Sequence, residues 1–340
     1  MKKDIYKTLQ DFFPIADLVK DMRDICQAQD SLPTRWIDIA AETPVFIKTF
    51  NKPFKDISVF KFFDGVCKVV FVCSTDDPYL ETFKKEIVGV NAELVIFDKS
   101  AYFNPSITMD IFPFDDDYIR TSLFARRFIN DYAVANNLPF WMDTDNDLKI
   151  SLRFPDKKTR PYSKDLARFA IAVHLYLLDK YPWISYLSAS SPGSQAYGKI
   201  YETGFGMNPT NIYFYNKGVD WYGRILDDVI TPLLRFELNG DIPLALPIIS
   251  TDQRLITGEM SRTYFKIKEE LEGEGLIEPN PKSKIGNLGR FYLETAFYYQ
   301  MKEIPKSLLR PYCRILRRML EERFPEIVQQ DLSLKEKNAF

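Results

Sequence analysis

The chain has 340 residues, 46% of them hydrophobic, and a formal net charge of −2. This length allows one large domain with an appendage or two domains, and the composition is that of a folded globular protein. A net charge near zero excludes a polycationic protein, so any contact with nucleic acid must come from a local basic patch.

Cysteine and histidine usage excludes several kinds of site. His174 is the only histidine, which excludes a zinc site built from several histidines. It falls in an apolar helical run, so we expect it to be a satisfied core residue. The four cysteines show no CxxC or CxxH spacing and are expected to be reduced, mostly buried thiols. With no signal peptide and no apolar run long enough to span a bilayer, we expect a cytoplasmic protein with no membrane partner.

Three regions are expected along the chain. Residues 1–55 show helical periodicity over Ile5–Cys26 and are predicted to form a helical preamble packed on the core. Residues 56–255 alternate between strand and helix patterns, which predicts an α/β domain. Residues 256–340 are predicted to be mostly helical, as a C-terminal extension whose arginines could contact DNA.

The first half of the predicted α/β domain contains a strand–helix–strand unit. The predicted elements are strands Ile57–Phe63 and Val66–Cys73, helix Tyr79–Val88 and strand Ala92–Phe97. This order implies a parallel sheet, and ligands of such sheets bind beyond the carboxyl ends of the strands. Ser74, Thr75 and Asp98 are predicted to lie at two such ends, where capping and turn formation explain them equally well.

An acidic turn follows the next predicted helix, Tyr118–Asn136, and the strand Phe140–Met142. Asp143 and Asp145 would then stand at the carboxyl end of that strand. Mg²⁺ binds one or two carboxylates together with the phosphates of its substrate, so an Asp-x-Asp here is a candidate metal–diphosphate clamp. Aspartate-rich turns also occur for plain turn chemistry.

The rest of the domain offers further candidates. The predicted elements are strand Lys149–Phe154, a helix over Lys164–Tyr181 capped by Ser163, and strands Ile184–Ala189, Asn211–Tyr215 and Leu244–Ile249. Ser190, Ser191 and Gly193 belong to a loop that would let the backbone approach a ligand. The pair Asp227-Asp228 opens a helix, where it could cap the helix or present a general base to an acceptor hydroxyl.

This order of elements resembles the nucleotide-sugar-dependent glycosyltransferases of the GT-A fold, over roughly residues 57–250. Its closest likeness is to the branch found in bacteriophages and beside DNA-base-modifying enzymes. Two segments carry most of the resemblance, Ala125-Arg126-Arg127-Phe128-Ile129-Asn130-Asp131-Tyr132-Ala133 and Phe140-Trp141-Met142-Asp143-Thr144-Asp145-Asn146-Asp147. A later strand with an asparagine, Ile212–Asn216, followed by the acidic pair Asp227-Asp228, also fits. The fold implied is a Rossmann-like, mixed and mostly parallel sheet flanked by helices. Arg126-Arg127 replaces the usual Arg-Asn pair, which leaves open which arginine faces the diphosphate.

The resemblance also implies roles for the candidate residues. On the donor side, Ser74, Thr75 and Asp98 would contact the nucleoside of an NDP-sugar, with a UDP-sugar favoured. Asp143 and Asp145 would hold Mn²⁺ or Mg²⁺ on the diphosphate, with Arg126 or Arg127 nearby.

On the acceptor side, Asp227 or Asp228 would take the acceptor proton. Ser190, Ser191, Gly193 and Trp221 would line the sugar and the acceptor.

The acceptor implied by this branch is a hydroxymethylated pyrimidine in phage DNA, modified in the host cytoplasm. A base inside a duplex would have to be flipped out to be reached. A basic stripe at helical spacing could hold DNA phosphates, or could be a solvated face paired with glutamates; its members are Arg310, Arg314, Arg317 and Arg318.

Two other functions remain open from the sequence. The segment from Met260 to Ile277, followed by the loop Pro279–Arg290, resembles a winged-helix DNA-binding motif, although four glutamates in that segment would repel phosphate. The segment Ala196–Phe205 resembles the Tyr-x-x-Gly-Phe stretch of GNAT-type acyltransferases, although no glycine-rich pyrophosphate loop precedes the supporting helix.

Overall fold

The protein is an α/β structure built on one mixed sheet. A computed structural model describes residues 13–102, 122–154, 159–190, 210–221, 231, 235 and 239–253. Its helices are α1 (Ile15–Gln27), α2 (Arg35–Glu42), α3 (Phe60–Phe63), α4 (Leu80–Glu86), α5 (Leu123–Ala135) and α6 (Lys164–Lys180). Its strands are β1 (Pro44–Thr49), β2 (Lys68–Ser74), β3 (Glu93–Phe97), β4 (Trp141–Thr144), β5 (Leu148–Arg153), β6 (Thr159–Arg160), β7 (Ile184–Ser190), β8 (Thr210–Tyr215) and β9 (Ile242–Gln253).

The strand order of the sheet is β3-β2-β1-β4-β8-β7-β9-β5-β6 within the described ranges. Strands β3, β2, β1 and β4 are mutually parallel. Strand β8 is antiparallel to both of its neighbours, and β5 is antiparallel to β9 and β6. Because β7 and β9 are parallel, only β5 and β8 run against the other seven strands. The predicted mixed, mostly parallel sheet is therefore confirmed.

Alternation along the strands divides the core into two layers. On one face of β1, β4 and β8, the side chains of Phe46, Trp141 and Tyr213 pack with the inner side of α5. On the opposite face, Ile47 and Met142 belong to the larger core that includes α1 and the apolar residues of α6. Residues i and i+1 of a strand point to opposite faces, so each strand serves both layers. The helices thus flank the sheet on both sides, as predicted.

Two expectations about the first sixty residues were wrong. Helices α1 and α2 occupy the predicted preamble, but residues 44–49 form β1, which lies between β2 and β4 in the sheet. The expected strand Ile57–Phe63 ends instead in the short helix α3. The aromatic rings here pack as a cluster, with Phe60 5.3 Å from Phe54 and 5.6 Å from Phe71 between ring centroids. This packing buries the apolar residues without any strand pairing.

Two expectations about α6 were confirmed. Ser163 caps α6, since its hydroxyl accepts a hydrogen bond from the Leu166 N–H at 3.1 Å. His174 is a core residue that bonds the Ala170 carbonyl at 2.7 Å and stacks on Phe214. Burial lowers the pKa of His174 to about 4, so its ring is neutral at pH 7.

Among the described residues, no helix is long and apolar enough to cross a membrane. The predicted C-terminal region 256–340 lies outside the described residues.

Candidate functional site

The strand order changes direction between β1 and β4. From β1 the chain builds outward through β2 to β3, whereas β4 is added on the other side of β1. Open α/β sheets bind ligands in the crevice beyond the carboxyl ends of the two strands at such a switch point. Strand β1 ends with Lys48 and Thr49, and β4 ends just before Asp145. The best-defined candidate site in the described structure is therefore at these two strand ends.

Asp143 is the most buried acidic group at the switch point, with none of its side chain exposed. One carboxylate oxygen, Oδ1, accepts a hydrogen bond from Lys48 Nζ and lies 3.8 Å from Arg126 Nε. The other, Oδ2, accepts a hydrogen bond of 2.6 Å from the hydroxyl of Tyr215. Burial and the negative charge of Asp143 raise the pKa of Tyr215 well above its ordinary value, so the phenol stays protonated and donates. Both oxygens of Asp143 are thus engaged by the protein.

Lys48 links the two aspartates of the Asp-x-Asp motif. Its side chain is 7% exposed, and Nζ lies 3.3 Å from Asp145 Oδ1 while also bonding Asp143. The ammonium is 5.9 Å from the ring centroid of Tyr213 on β8. A lysine ammonium has three donors on one charged atom, which allows it to bridge two carboxylates. Lys48 is therefore a fixed cation between Asp143 and Asp145.

Arg126 is the arginine that faces the acidic pair. It is buried on α5, and its guanidinium lies beside two aromatic rings, 4.7 Å from the Tyr213 centroid and 4.8 Å from the Trp221 centroid. Arginine stacks well on aromatic faces because its guanidinium is planar and weakly hydrated. The following residue, Arg127, turns away to the Trp221 carbonyl at 3.1 Å and Asp220 at 3.3 Å. Arg126 is thus the arginine beside Asp143, and which of the two would face a diphosphate stays a prediction.

Trp221 is fully buried and serves as a wall of the site. Its ring lies 5.2 Å from Tyr213 and 5.4 Å from Tyr186, centroid to centroid. Its ring centroid is 4.8 Å from the guanidinium of Arg126. The indole is not exposed in the free protein, and its predicted role in lining a sugar is untested.

Asp145 is the more accessible of the two aspartates, with 22% of its side chain exposed. Its backbone N–H donates to the Asn211 carbonyl at 3.2 Å, which fixes the residue against the start of β8. Two residues on, Asp147 lies 3.6 Å from Lys52 Nζ. Burial and the charge of Asp145 raise the pKa of Asp147. Both carboxylates thus reach the same corner of the sheet, each with a lysine beside it.

The ends of β2 and β3 carry the residues predicted to meet a nucleoside. Ser74 is buried and donates to Asp76 at 2.6 Å, and Asp76 in turn pairs with Lys99 at 2.5 Å. Burial alone would raise the pKa of Asp76, but the hydrogen bonds from Lys99 and Ser74 lower it. Thr75 is exposed beyond the end of β2, and Asp98 accepts from the Ser100 N–H at 2.9 Å. Their predicted positions at the strand ends are confirmed, and their binding roles stay predictions.

Of the remaining candidates, only Ser190 lies within the residues that the structure describes. Ser190 was expected in a loop, but it is the buried last residue of β7 and lies opposite Ser250 of β9, because the strand extends one residue beyond the predicted end at Ala189. Ser191, Gly193, Asp227 and Asp228 lie outside the described residues, as do the winged-helix-like, GNAT-like and arginine-stripe segments.

Three residues of the site were not found by sequence reasoning. Lys48 is the one charged residue in the strand sequence Pro-Val-Phe-Ile-Lys-Thr. Once this segment is recognised as a strand, a single charge within it indicates a candidate site residue. Tyr213 and Tyr215 are two residues apart on β8, so both face the same side of the sheet as Asp143. A pair of tyrosines at this spacing opposite an acidic strand is the signal that could have identified them.

The predicted divalent metal fits this donor set in part. Asp145 is partly exposed at the switch point and can offer a carboxylate oxygen, and Mg²⁺ needs only one or two carboxylates when phosphates supply the rest. Asp143 has both oxygens engaged, so its role as a ligand stays a prediction. Within the described ranges, no group of three histidine, cysteine, aspartate or glutamate side chains could hold a metal by itself.

Comparison with known proteins adds no family assignment. Neither a protein-family model nor a curated protein sequence matches this chain.

Proposed function

We propose that the protein is a glycosyltransferase of the GT-A type, which moves a sugar from an NDP-sugar, most simply a UDP-sugar, to a hydroxyl acceptor. The observation that carries the proposal is the position of the Asp-x-Asp motif at the β1/β4 switch point, beside two buried cations. Among the seven strands β3-β2-β1-β4-β8-β7-β9, only β8 runs antiparallel to the rest. This part of the sheet agrees with the mixed, mostly parallel sheet that the GT-A resemblance implies.

The geometry of the strand ends suits an elongated ligand. Adjacent strands are about 4.8 Å apart, so the ends of β3 and β4 are separated by roughly 14 Å across β2 and β1. An NDP-sugar lying along this edge would place its nucleoside at Ser74, Thr75 and Asp98 and its diphosphate near Asp145. Arg126 and Lys48 then contribute positive charge at the diphosphate end.

In the proposed reaction, the bond between the anomeric carbon and the diphosphate oxygen breaks, and its electron pair leaves with the nucleoside diphosphate. The acceptor oxygen bonds to the anomeric carbon and loses its proton to a carboxylate, for which Asp227 or Asp228 is our candidate. Cations fixed in a buried site stabilise charge that develops on a leaving group, because they need no reorganisation. A divalent ion bound at Asp145 would supply Lewis-acid stabilisation of the same charge.

The proposed acceptor is a hydroxymethylated pyrimidine in DNA. This choice rests on the resemblance to the bacteriophage branch and on the arginine stripe of residues 310–318 as a phosphate contact. Because the base is buried in a duplex, single-stranded DNA should be the better substrate.

Mass spectrometry of hydroxymethylated DNA incubated with a panel of NDP-sugars and Mn²⁺ tests the proposal. We expect a mass increase of one sugar per modified base with the wild-type protein and none with Asp145→Ala. Replacement of the exposed Asp179 on α6 by asparagine is the matched control and should leave transfer intact. Full transfer by Asp145→Ala would show that the motif is not part of the site.

A thermal-shift screen separates the glycosyltransferase proposal from the two alternative functions. UDP-sugars with Mn²⁺ should raise the melting temperature of the wild-type protein, because a ligand that binds only the folded state stabilises it. Stabilisation by acetyl-CoA or by duplex DNA alone would favour the acyltransferase or the winged-helix alternative instead.

A further inference from the structure

In the free protein, the ammonium group of Lys48 lies between the two aspartates of the Asp-x-Asp motif. Lys48 Nζ bonds Asp143 Oδ1 and lies 3.3 Å from Asp145 Oδ1, so one ammonium contacts an oxygen of each carboxylate. A divalent ion that bridged the same two oxygens would have to occupy this position. The predicted clamp, in which both aspartates hold the metal, therefore conflicts with the observed contacts.

Burial fixes the ammonium in place. Its strand neighbours on β1, from Val45 to Ile47, are almost completely buried, and Lys48 itself is 7% exposed. A lysine buried to this degree is retained in a fold when its charge is paired, since an unpaired buried ammonium is very costly. Moving Lys48 out of the site would leave Asp143 buried with one fewer cation.

The charges of the cluster cancel before any ligand arrives. Two carboxylates face two cations, Lys48 and Arg126, and Arg126 Nε is 3.8 Å from Asp143 Oδ1. The neighbouring Asp147 is paired with Lys52. An incoming divalent ion would meet a neutral cluster with two fixed positive groups, which disfavours its binding.

We propose that Lys48 is a built-in cation that replaces a divalent metal between Asp143 and Asp145 in the free protein. A divalent ion then enters only together with the donor diphosphate, on the accessible carboxylate of Asp145. This second statement rests on the proposed function, whereas exclusion of the metal from the free protein does not.

Binding of Mn²⁺ alone to the free protein, measured from the loss of the free-ion electron paramagnetic resonance signal, tests the proposal without any donor. The wild-type protein should bind no Mn²⁺ at the Asp143–Asp145 pair up to about 1 mM, the weak end of protein sites for hard cations. Lys48→Met should bind one Mn²⁺ at least about tenfold more tightly than the wild type, because it removes the competing positive charge. Adding Asp145→Asn to Lys48→Met should abolish that binding.

Two further variants separate charge from packing. Lys48→Arg keeps the positive charge and should exclude Mn²⁺ as the wild type does. Lys52→Met is the matched control, because it removes a lysine four residues away that pairs with Asp147 and not with Asp143. It should gain no Mn²⁺ binding.

Two results would overturn the proposal. One is a Mn²⁺ ion bound by the wild-type protein and lost in Asp143→Asn or Asp145→Asn. The other is a folded Lys48→Met, confirmed by circular dichroism, that binds Mn²⁺ no better than the wild type. If Lys48→Met does not fold, Lys48→Gln, which keeps a hydrogen-bond donor without the charge, must show the same gain. Glycosyl transfer is not measured in any of these arms, so their failure is distinguishable from failure of the proposed function.

Discussion

Replacing Lys48 with methionine removes a charge from between two carboxylates and keeps an unbranched side chain of similar size. In the wild type the ammonium bonds Asp143, whose side chain has no exposed surface. Breaking a buried ion pair by removing one partner costs about 3–5 kcal/mol, because the other charge is left buried without compensation. The structure places the cost near the lower end of this range.

Two features of the site moderate the loss. Asp143 keeps the hydrogen bond from Tyr215 at 2.6 Å and has Arg126 Nε at 3.8 Å. Asp145 is 22% exposed and can be solvated when the lysine is gone. We therefore expect Lys48→Met to lower the free energy of unfolding by about 3 kcal/mol, a large share of the roughly 5–15 kcal/mol of a typical domain.

Equilibrium urea unfolding at pH 7, followed by circular dichroism, measures this loss. Lys68→Met on β2 is the matched control, because Lys68 pairs with Glu42 at 2.5 Å but both side chains are more than half exposed. Exposed pairs contribute at most about 1 kcal/mol, so this variant should stay close to the wild type. Adding Asp143→Asn to Lys48→Met should recover part of the stability, since it removes the unpaired charge and keeps an oxygen that can accept from the Tyr215 hydroxyl. Equal midpoints for Lys48→Met and Lys68→Met would refute the buried pairing described above.

Three smaller perturbations test other parts of the structure. Tyr215→Phe removes a hydrogen bond to a charged group and should lower the free energy of unfolding in urea by about 1.5–3 kcal/mol. Tyr162→Phe removes a hydrogen bond to a neutral carbonyl and should lower it by about 0.5–1.5 kcal/mol. Equal losses in the two variants would contradict the assigned contacts. Burial lowers the pKa of His174 from 6.5 to about 4, so the unfolded state binds the proton first as the pH falls. The contribution of His174 to the free energy of unfolding, about 3 kcal/mol, is therefore present above pH 6.5 and is lost as the pH falls to 4. The slope of stability against pH in this window should flatten in His174→Gln, and an unchanged slope would count against burial of the neutral ring. Burial raises the pKa of Cys73 from 9.0 to about 12, so a thiol reagent at pH 8 should label it about a thousandfold more slowly than in the urea-unfolded chain, as followed by mass spectrometry of the labelled peptide.

Long, strongly patterned elements were predictable from the sequence. The N-cap of α6 at Ser163 followed from a capping residue before an apolar periodic run, and the structure has that hydrogen bond. The buried strand β2 followed from a nearly continuous apolar run. Their local signals agree with the tertiary structure, so no distant contact was needed to identify them.

Short elements whose environment comes from distant residues were not predictable. Strand β1 begins with Pro44 and contains Lys48, and both residues are uncommon within central strands. The strand is stabilised by pairing with β2 and β4 on either side, which the local sequence does not reveal. Conversely, residues 57–63 have the apolar pattern of a strand but end in helix α3, where the ring of Phe60 packs against Phe54 and Phe71.

The acidic half of the candidate site was predictable from the sequence, and the resemblance supplied Arg126 and Trp221, but Lys48 was not predictable. Asp143 and Asp145 stand out as an acidic motif after an apolar strand, and their position at the end of β4 followed from that pattern. The cationic half depends on Lys48, which is 95 residues away from Asp143 in the chain. Without the strand order there is no local reason to bring these two residues together.

That separation of 95 residues has a consequence for how the cluster around Asp143 forms. Pairings between distant parts of a chain form slowly, because the intervening loop must be closed before any contact compensates for it. Tyr215 joins Asp143 from 72 residues further along, so the cluster needs both flanks of β4 in place. A nascent or truncated chain that ends before β8 would carry the complete acidic motif and still lack the assembled cluster. The cluster should therefore form late during refolding, when β8 pairs with β4.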